Sequence, residues 1–455
     1  MQTAVNNGVS KSALLNRISG FASSALLMSM SGGAVAAFLG DPYIPDPVGI
    51  ISASDTAGNV WVGISFPNST LDIQGGGTLT LDADKSIYVG VDTSDNSTTV
   101  VGSSNVSQAL LSVPSDIYVG LNDSSDGNSM FVGDWGSATA NRLVLGMNDN
   151  SSSNIFTASG ATGSLQIAGD VYVGFNGDAN RAIIDQGRDI TVGGHVYLGV
   201  EAFSSGNSLT VSGSGSTLVS SQEMIIGFGG NTNTLTVEKS GMVTNRHTYM
   251  GYFSGADANS ARVSDSGSVW RTNGVFYLSF ASDNNEVTVD SDGKVIVGTG
   301  GGVPNSFTTT PDGAVRISAG RIGFIIGNYL QQPAGIFHID ASSTSNYGQL
   351  AVTGSATLQN GARIVVTVSD CDSIPVGSTL VSVLSATTSL SRSGITVSDN
   401  CPGVDFQAVQ SGNAINLQAI NPIATSIPTL SQWGMILLSG LLGIASLFAM
   451  RGRKG

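Results

Sequence analysis

Tyr197-Leu198-Gly199, Leu209-Thr210-Val211, Ser214-Gly215-Ser216-Thr217-Leu218 and Ile225-Ile226-Gly227 decide the fold of this chain. The first and last triplets are one signal, an apolar pair closed by glycine. Between them lie a polar turn, a short strand and a Ser-Gly turn that leads to a third apolar touch. The signal recurs as Trp61-Val62-Gly63, Tyr88-Val89-Gly90, Tyr118-Val119-Gly120, Val144-Leu145-Gly146, Tyr172-Val173-Gly174 and Tyr249-Met250-Gly251. Its spacing of about 24 to 30 residues is typical of solenoid units. Tyr277-Leu278-Ser279, Ile296-Val297-Gly298 and Ile325-Ile326-Gly327 follow.

A unit of three short strands cannot bury its own apolar face, but stacked units pair each strand with the one above and below at about 4.8 Å. The expected fold is all-β: a right-handed parallel β-solenoid over residues 55–340, about eleven coils and roughly 50 Å long. Residues 341–420, with longer Thr/Val/Ser-rich strands, read as terminal coils or a β cap. The glycine after each pair allows a sharp corner or close packing of coils. A sandwich or propeller is the rival, and a blade needs about 40 residues. Tyr88, Tyr118, Tyr172, Tyr197 and Tyr249 share one phase of the coil. Facing outward they would form a ladder suited to sugar rings; facing inward they are core, which is the expectation for large aromatics.

These Tyr-Val-Gly, Leu-Thr-Val and Ser-Gly-Ser rungs resemble the passenger regions of autotransporter adhesins and related β-helical surface proteins. The stretch from Tyr347-Gly348-Gln349-Leu350 to Ala356-Thr357-Leu358 resembles the end of such a passenger. The resemblance covers roughly residues 55–420 and implies architecture rather than an activity. No large outer-membrane barrel follows residue 420, so surface delivery is expected to rest on the C-terminal signal.

That signal begins Ile427-Pro428-Thr429-Leu430-Ser431-Gln432-Trp433-Gly434, continues through the apolar run Met435 to Met450, and ends on Arg451, Arg453 and Lys454. Trp433 and the apolar run give roughly 17 residues, about 25 Å of helix, near the short limit for a membrane span. The basic stop favours a cytoplasmic C-terminus and an upstream domain across the inner membrane. A plain tail anchor has the same hydropathy. Ile427, Pro428, Thr429, Leu430, Trp433 and Gly434 match the C-terminal sorting signal recognised by the exosortase family, which this segment resembles. The resemblance implies an exosortase-type processing enzyme as partner, cleavage near the motif, transient membrane anchoring, and transfer to the surface or matrix of a Gram-negative cell.

At the other end Lys11 and Arg17 precede an apolar run from Ile18 to Leu39, with no acid before Asp41. This reads as a signal peptide over residues 1–36 that engages the secretion translocon, cleaved between Ala36 and Ala37 after the Ala34-Val35-Ala36 pattern. An uncleaved N-terminal anchor is the alternative. Residues 37–54 read as a linker, and residues 421–455 as the sorting signal with its transmembrane helix and basic tail.

Composition narrows the function of the exported middle. The 455 residues hold 60 Gly, and 32 acids against 18 Lys and Arg give a net charge of −14. No Lys/Arg cluster lies outside the targeting ends, which excludes nucleic-acid binding. Among the acids only Glu201, Glu223, Glu238 and Glu286 are Glu; the Asp excess favours turns over helices. Cys371 and Cys401 fit an oxidising compartment. Joined, they close a loop of about 30 residues, on the order of 3 to 4 kcal/mol on a chain-entropy basis. Two separate thiols or a reactive site are the alternatives.

Candidate chemistry is sparse. His195, His247 and His338 fall in different repeats without ligand spacing, so no metal or other cofactor is expected. The run Gly298, Gly300, Gly301, Gly302 leads into no helix and reads as a turn. Asp82/Asp84, Asp290/Asp292 and Asp370/Asp372 have the i, i+2 spacing of paired carboxylates, as a polysaccharide lyase or hydrolase on a β-helix would need, but sit among turn residues where Asp caps the backbone. The oxygen-rich turns Asp92–Asn96, Asn122–Gly127 and Asn148–Asn150 read as solvated Asx turns, not calcium loops; Gly229–Leu235 only faintly echoes a calcium nonapeptide. The expected function is a non-catalytic exported solenoid, adhesin-like or structural, with extracellular polysaccharide or another surface ligand as partner. A polysaccharide lyase or hydrolase is the alternative.

Overall fold

The computed structural model describes residues 48–298 and 306–422, and the six positions 437–439, 441, 442 and 444. The chain divides into two units, Met1–Ala36 and Ala37–Gly455, and every described residue belongs to the second.

From Val48 to Arg392 the chain winds as a right-handed parallel β-solenoid, each coil giving one strand to each of three sheets. Val48–Ile51, Ser54–Ala57 and Val60–Val62 form the first coil. Thr70–Gln74, Thr78–Leu81 and Ile87–Val89 form the second, each parallel to its counterpart. The third sheet has 13 strands, hence that many complete coils. The eleventh coil ends at Asn328–Gln331. The segment read as terminal coils or cap holds both: two further coils, then the hairpin of Asp405–Ser411 and Ala414–Ile420. The hairpin lies antiparallel along Thr379–Ala386 and covers the edge of the second sheet.

Strand alternation builds the core. In Ser208–Ser212 the buried positions are Leu209 and Val211, while Ser208, Thr210 and Ser212 face out. The interior is mostly Val, Ile and Leu up to the eighth coil, and from the ninth to the eleventh Trp270, Phe276, Phe307 and Tyr329 help fill it. Trp270 donates from its indole to Asn245 Oδ1 at 3.0 Å, satisfying its one polar atom.

A second ladder runs beside the core. Asn96, Asn128, Asn154, Asn180, Asn207, Asn233, Asn259 and Asn285 are fully buried, each just before a first-sheet strand. Each donates from its backbone N–H and its Nδ2 to Oδ1 of the next asparagine, at 2.8 to 3.1 Å. Asn285 closes the ladder on Ser279 and Ser282. This explains the glycine of the repeat signal. Gly174 has φ +74° and a Cβ there would stand 2.2 Å from Asn207 Nδ2, so the corner needs both a left-handed residue and no side chain.

Candidate functional site

The outer face of the third sheet carries the most distinctive surface. In Val171–Val173 and Val196–Leu198 the valines and leucine point inward while Tyr172 and Tyr197 stand outside, half-buried. The recurrent tyrosines therefore face out, not into the core as expected. The residues on either side of each ring already face the interior, so strand alternation turns the ring outward. Strand register puts Trp61, Tyr88 and Tyr118 in one column, and Val144, Tyr172, Tyr197, Ile225, Tyr249 and Tyr277 continue it.

The column is not open for stacking on a sugar ring. Tyr88 and Tyr118 lie face to face at 5.2 Å and Tyr172 and Tyr197 at 5.1 Å, so the rings cover one another and present edges. Tyr118 is only 3% exposed. Its hydroxyl donates to Asp116, and that of Tyr172 donates to Asp170. Burial first, and then the neighbouring carboxylate, pushes both phenols well above their ordinary pKa.

Two residues before each ring position runs a second column: Asp116, Arg142, Asp170, His195, Glu223, His247. It places anions and bases alternately on successive coils. Arg142 meets Asp116 through two hydrogen bonds, at 2.6 and 2.9 Å. Asp170 accepts the His195 backbone N–H at 2.7 Å. Glu223 lies 2.8 Å from His195 Nδ1, but off the ring N–H direction, so the contact is ionic rather than an aligned hydrogen bond. Glu223 holds the imidazole above its usual pKa against the opposing effect of burial, and His195 holds Glu223 below the usual carboxylate value. His247 is held low by burial, and its Nδ1 accepts the Val275 N–H at 3.1 Å.

On the other side of the tyrosines the turns add rings. Phe175, Phe228, Tyr252 and Phe280 each follow the corner position of their coil and join the column into one aromatic patch. Phe228 and Tyr252 stack at 5.0 Å, Tyr252 and Phe280 at 5.3 Å, and Phe280 meets Tyr249 edge-on. Neither the ionic column nor the turn aromatics stood out in the sequence. The first changes residue type at every coil, and the second sits in turns whose Asn, Asp and Gly dominate the reading.

The carboxylates paired in sequence stay apart from this face. Asp82 and Asp84 are exposed turn residues, Asp84 at φ +60°. Asp290 is buried against Arg262 at 3.0 Å, and Asp292 lies in the following turn at φ +68°. Asp370 caps a short 3-10 turn by accepting the Asp372 N–H. The oxygen-rich turns bind one another across coils: Asn122 donates to Asp92 at 2.7 Å and Asp126 accepts the Ser152 N–H at 2.7 Å. Gly229–Leu235 holds a rung of the asparagine ladder at Asn233. His338 contacts Thr367 at 2.7 Å. Among the described residues no group of three or more His, Cys, Asp or Glu is placed to hold a metal ion. Cys371 and Cys401 are joined in a disulfide, Cα atoms 5.6 Å apart. An open hollow of about 1110 Å³ lies beside it at the last coil, bordered by Arg392, Asp399 and Phe406.

Ala36 and Ala37, Gly300 to Gly302, the motif residues Ile427, Pro428, Thr429, Leu430, Trp433 and Gly434, and the stop residues Arg451, Arg453 and Lys454 lie outside the described residues. Leu437, Leu438, Leu441, Leu442 and Ile444 are helical and exposed. Among the described residues no helix is long and apolar enough to cross a membrane.

A β-solenoid leading to a C-terminal sorting motif is the make-up of an exported surface β-helical protein. Residues 425–454 match the IPTL-CTERM motif, which in general implies processing by an exosortase-type enzyme. No curated protein matches the sequence. Among solved structures the chain is similar to the TibC-catalysed hyper-glycosylated TibA55-350 fragment. The identity is 17%, 78% of this chain and 93% of that chain are covered, and the TM-score is 0.27.

Proposed function

We propose that this chain is an exported, non-catalytic β-solenoid of the cell surface or extracellular matrix, adhesin-like or structural. The translocon carries it across the inner membrane of a Gram-negative cell, where the C-terminal segment anchors it until an exosortase-type enzyme processes the IPTL-CTERM region. The observation that carries this reading is a rod of 13 stacked coils upstream of that motif. Its polar ladders support a scaffold role rather than a reaction centre. The carboxylates and bases of the outer face are engaged coil to coil, Asp116 with Arg142 and Glu223 with His195.

The test is to incubate the purified protein with the producing organism's extracellular polysaccharide and follow co-sedimentation and fragment release together. Saturable binding with an unchanged polymer supports the proposal. Fragments that vanish on Glu223→Gln or Asp290→Ala replace it with a β-helical polysaccharide-degrading enzyme.

A further inference from the structure

We infer that the aromatic ridge over the turns of the sixth to ninth coils binds a linear polysaccharide bearing protonated amines, laid along the solenoid axis. This rests on the surface-binding reading above and adds the chemistry of the ligand. Phe203, Phe253 and Phe280 are 79%, 49% and 42% exposed, in the turns of the sixth, eighth and ninth coils. Phe228 meets Phe253 edge-on at 4.7 Å and Tyr252 stacks on Phe280 at 5.3 Å, so both rings are held by neighbouring rings while keeping much of their surface in solvent. They are far more exposed than Tyr118 of the tyrosine column, at 3%. Open ring surfaces take the C–H face of a sugar or, more strongly, a cation.

Spacing and charge select the ligand. The three exposed rings stand in coils six, eight and nine, a reach of about 14 Å along the axis at about 4.8 Å per rung, so a ligand that meets all of them is an extended chain rather than a single sugar. The same turns carry Glu201, Asp257 and Asp283, in a chain of net charge −14. Glu201 donates its backbone N–H to the Phe175 carbonyl just as Phe253 does to that of Phe228, which places an acid at the position of Phe253 two coils away. Such a ridge repels uronate polymers and further copies of itself and attracts ammonium groups.

The test titrates the full-length chain, held in detergent, with β-1,4-linked glucosamine oligomers, their N-acetylated counterparts, uronate oligomers and oligolysine. Glucosamine oligomers bind saturably and more weakly at high salt; acetylated oligomers bind far more weakly and uronates not at all. Phe253→Ser with Phe280→Ser weakens binding about tenfold. Phe203→Ser, at the most exposed ring, and Glu201→Gln also weaken it at an unchanged thermal midpoint, which separates ligand contact from folding. Absence of glucosamine binding, equal binding of acetylated oligomers, or indifference to all three ring substitutions overturns the inference. Tighter binding of oligolysine, displacing the sugar, reassigns the ridge to a basic polypeptide. If the matrix polysaccharide still co-sediments when the glucosamine oligomers fail, only the ligand chemistry falls. If both fail, the binding reading falls with it.

Discussion

Single side chains hold this molecule together by repeating. Each buried asparagine of the ladder satisfies a backbone N–H and an Nδ2 in the coil before it, so its removal strands donors that water cannot reach. Asn180→Ala should cost about 1 to 3 kcal/mol in a denaturant titration. Gly174→Ala should destabilise too, because Gly174 sits in a left-handed corner where a side chain would collide with Asn207. The His195–Glu223 pair makes a pH-dependent prediction. His195, with its raised pKa, contributes stability below the ordinary imidazole value and loses it as pH rises through the raised one. Glu223, with its lowered pKa, contributes above the ordinary carboxylate value and loses it as pH falls through the lowered one. Both contribute fully between about pH 4.5 and 6.5. The thermal midpoint of Glu223→Gln should therefore fall further below wild type at pH 5.5 than at pH 9, and the pKa of His195 followed by NMR should drop; equal deficits at both pH values contradict the assignment. The glycine of the repeat was legible because it follows an apolar pair at constant phase. Its partner was not, because an Asn ahead of Ser, Thr or Arg reads as any turn residue until strand register stacks it on the next.

At the level of elements, each strand pairs only with its neighbours in adjacent coils, so stability is near-additive along the rod and the ends are the weak points. The N-terminal coil exposes Val48 and Ile50, whereas the far end is closed by the terminal hairpin and pinned by Cys371–Cys401. Replacing both cysteines with serine should lower the stability of the terminal coils by about 3 kcal/mol. Hydrogen exchange would show this as faster opening of Thr379–Ala386 and the hairpin, with the strands of the middle coils unchanged. Uniform acceleration along the rod would mean that the solenoid opens as one unit. Strand positions were legible from two-residue alternation, as in Leu209-Thr210-Val211. The direction of the tyrosines was not, since Val-Tyr-Val alternates equally well with the ring inside or outside. What decides it is that the flanking residues already face the interior. The buried Arg188 escaped notice for a related reason. It sits in a turn, yet donates to the carbonyls of Ser159 one coil away and Gly136 two coils away, partners more than 25 residues distant in sequence.

The described solenoid carries an aromatic face on its third sheet, in a chain of net charge −14 with a C-terminal IPTL-CTERM motif. The period made the architecture readable from sequence alone, and the C-terminal motif was legible in its six defining residues. The candidate face was not, because it exists only once the coils are in register and brings together residues from six successive repeats. Its groups support contact with an extended partner along the rod. The most direct measurement is intact-mass spectrometry of the protein recovered from the outer surface and extracellular matrix of the producing cell. The account predicts a species that begins at Ala37 and has lost the apolar segment after the IPTL motif, while substitution of Pro428 and Trp433 leaves a longer form in the inner membrane. Recovery of the unprocessed chain only from the inner membrane of wild-type cells, with none outside, would contradict it.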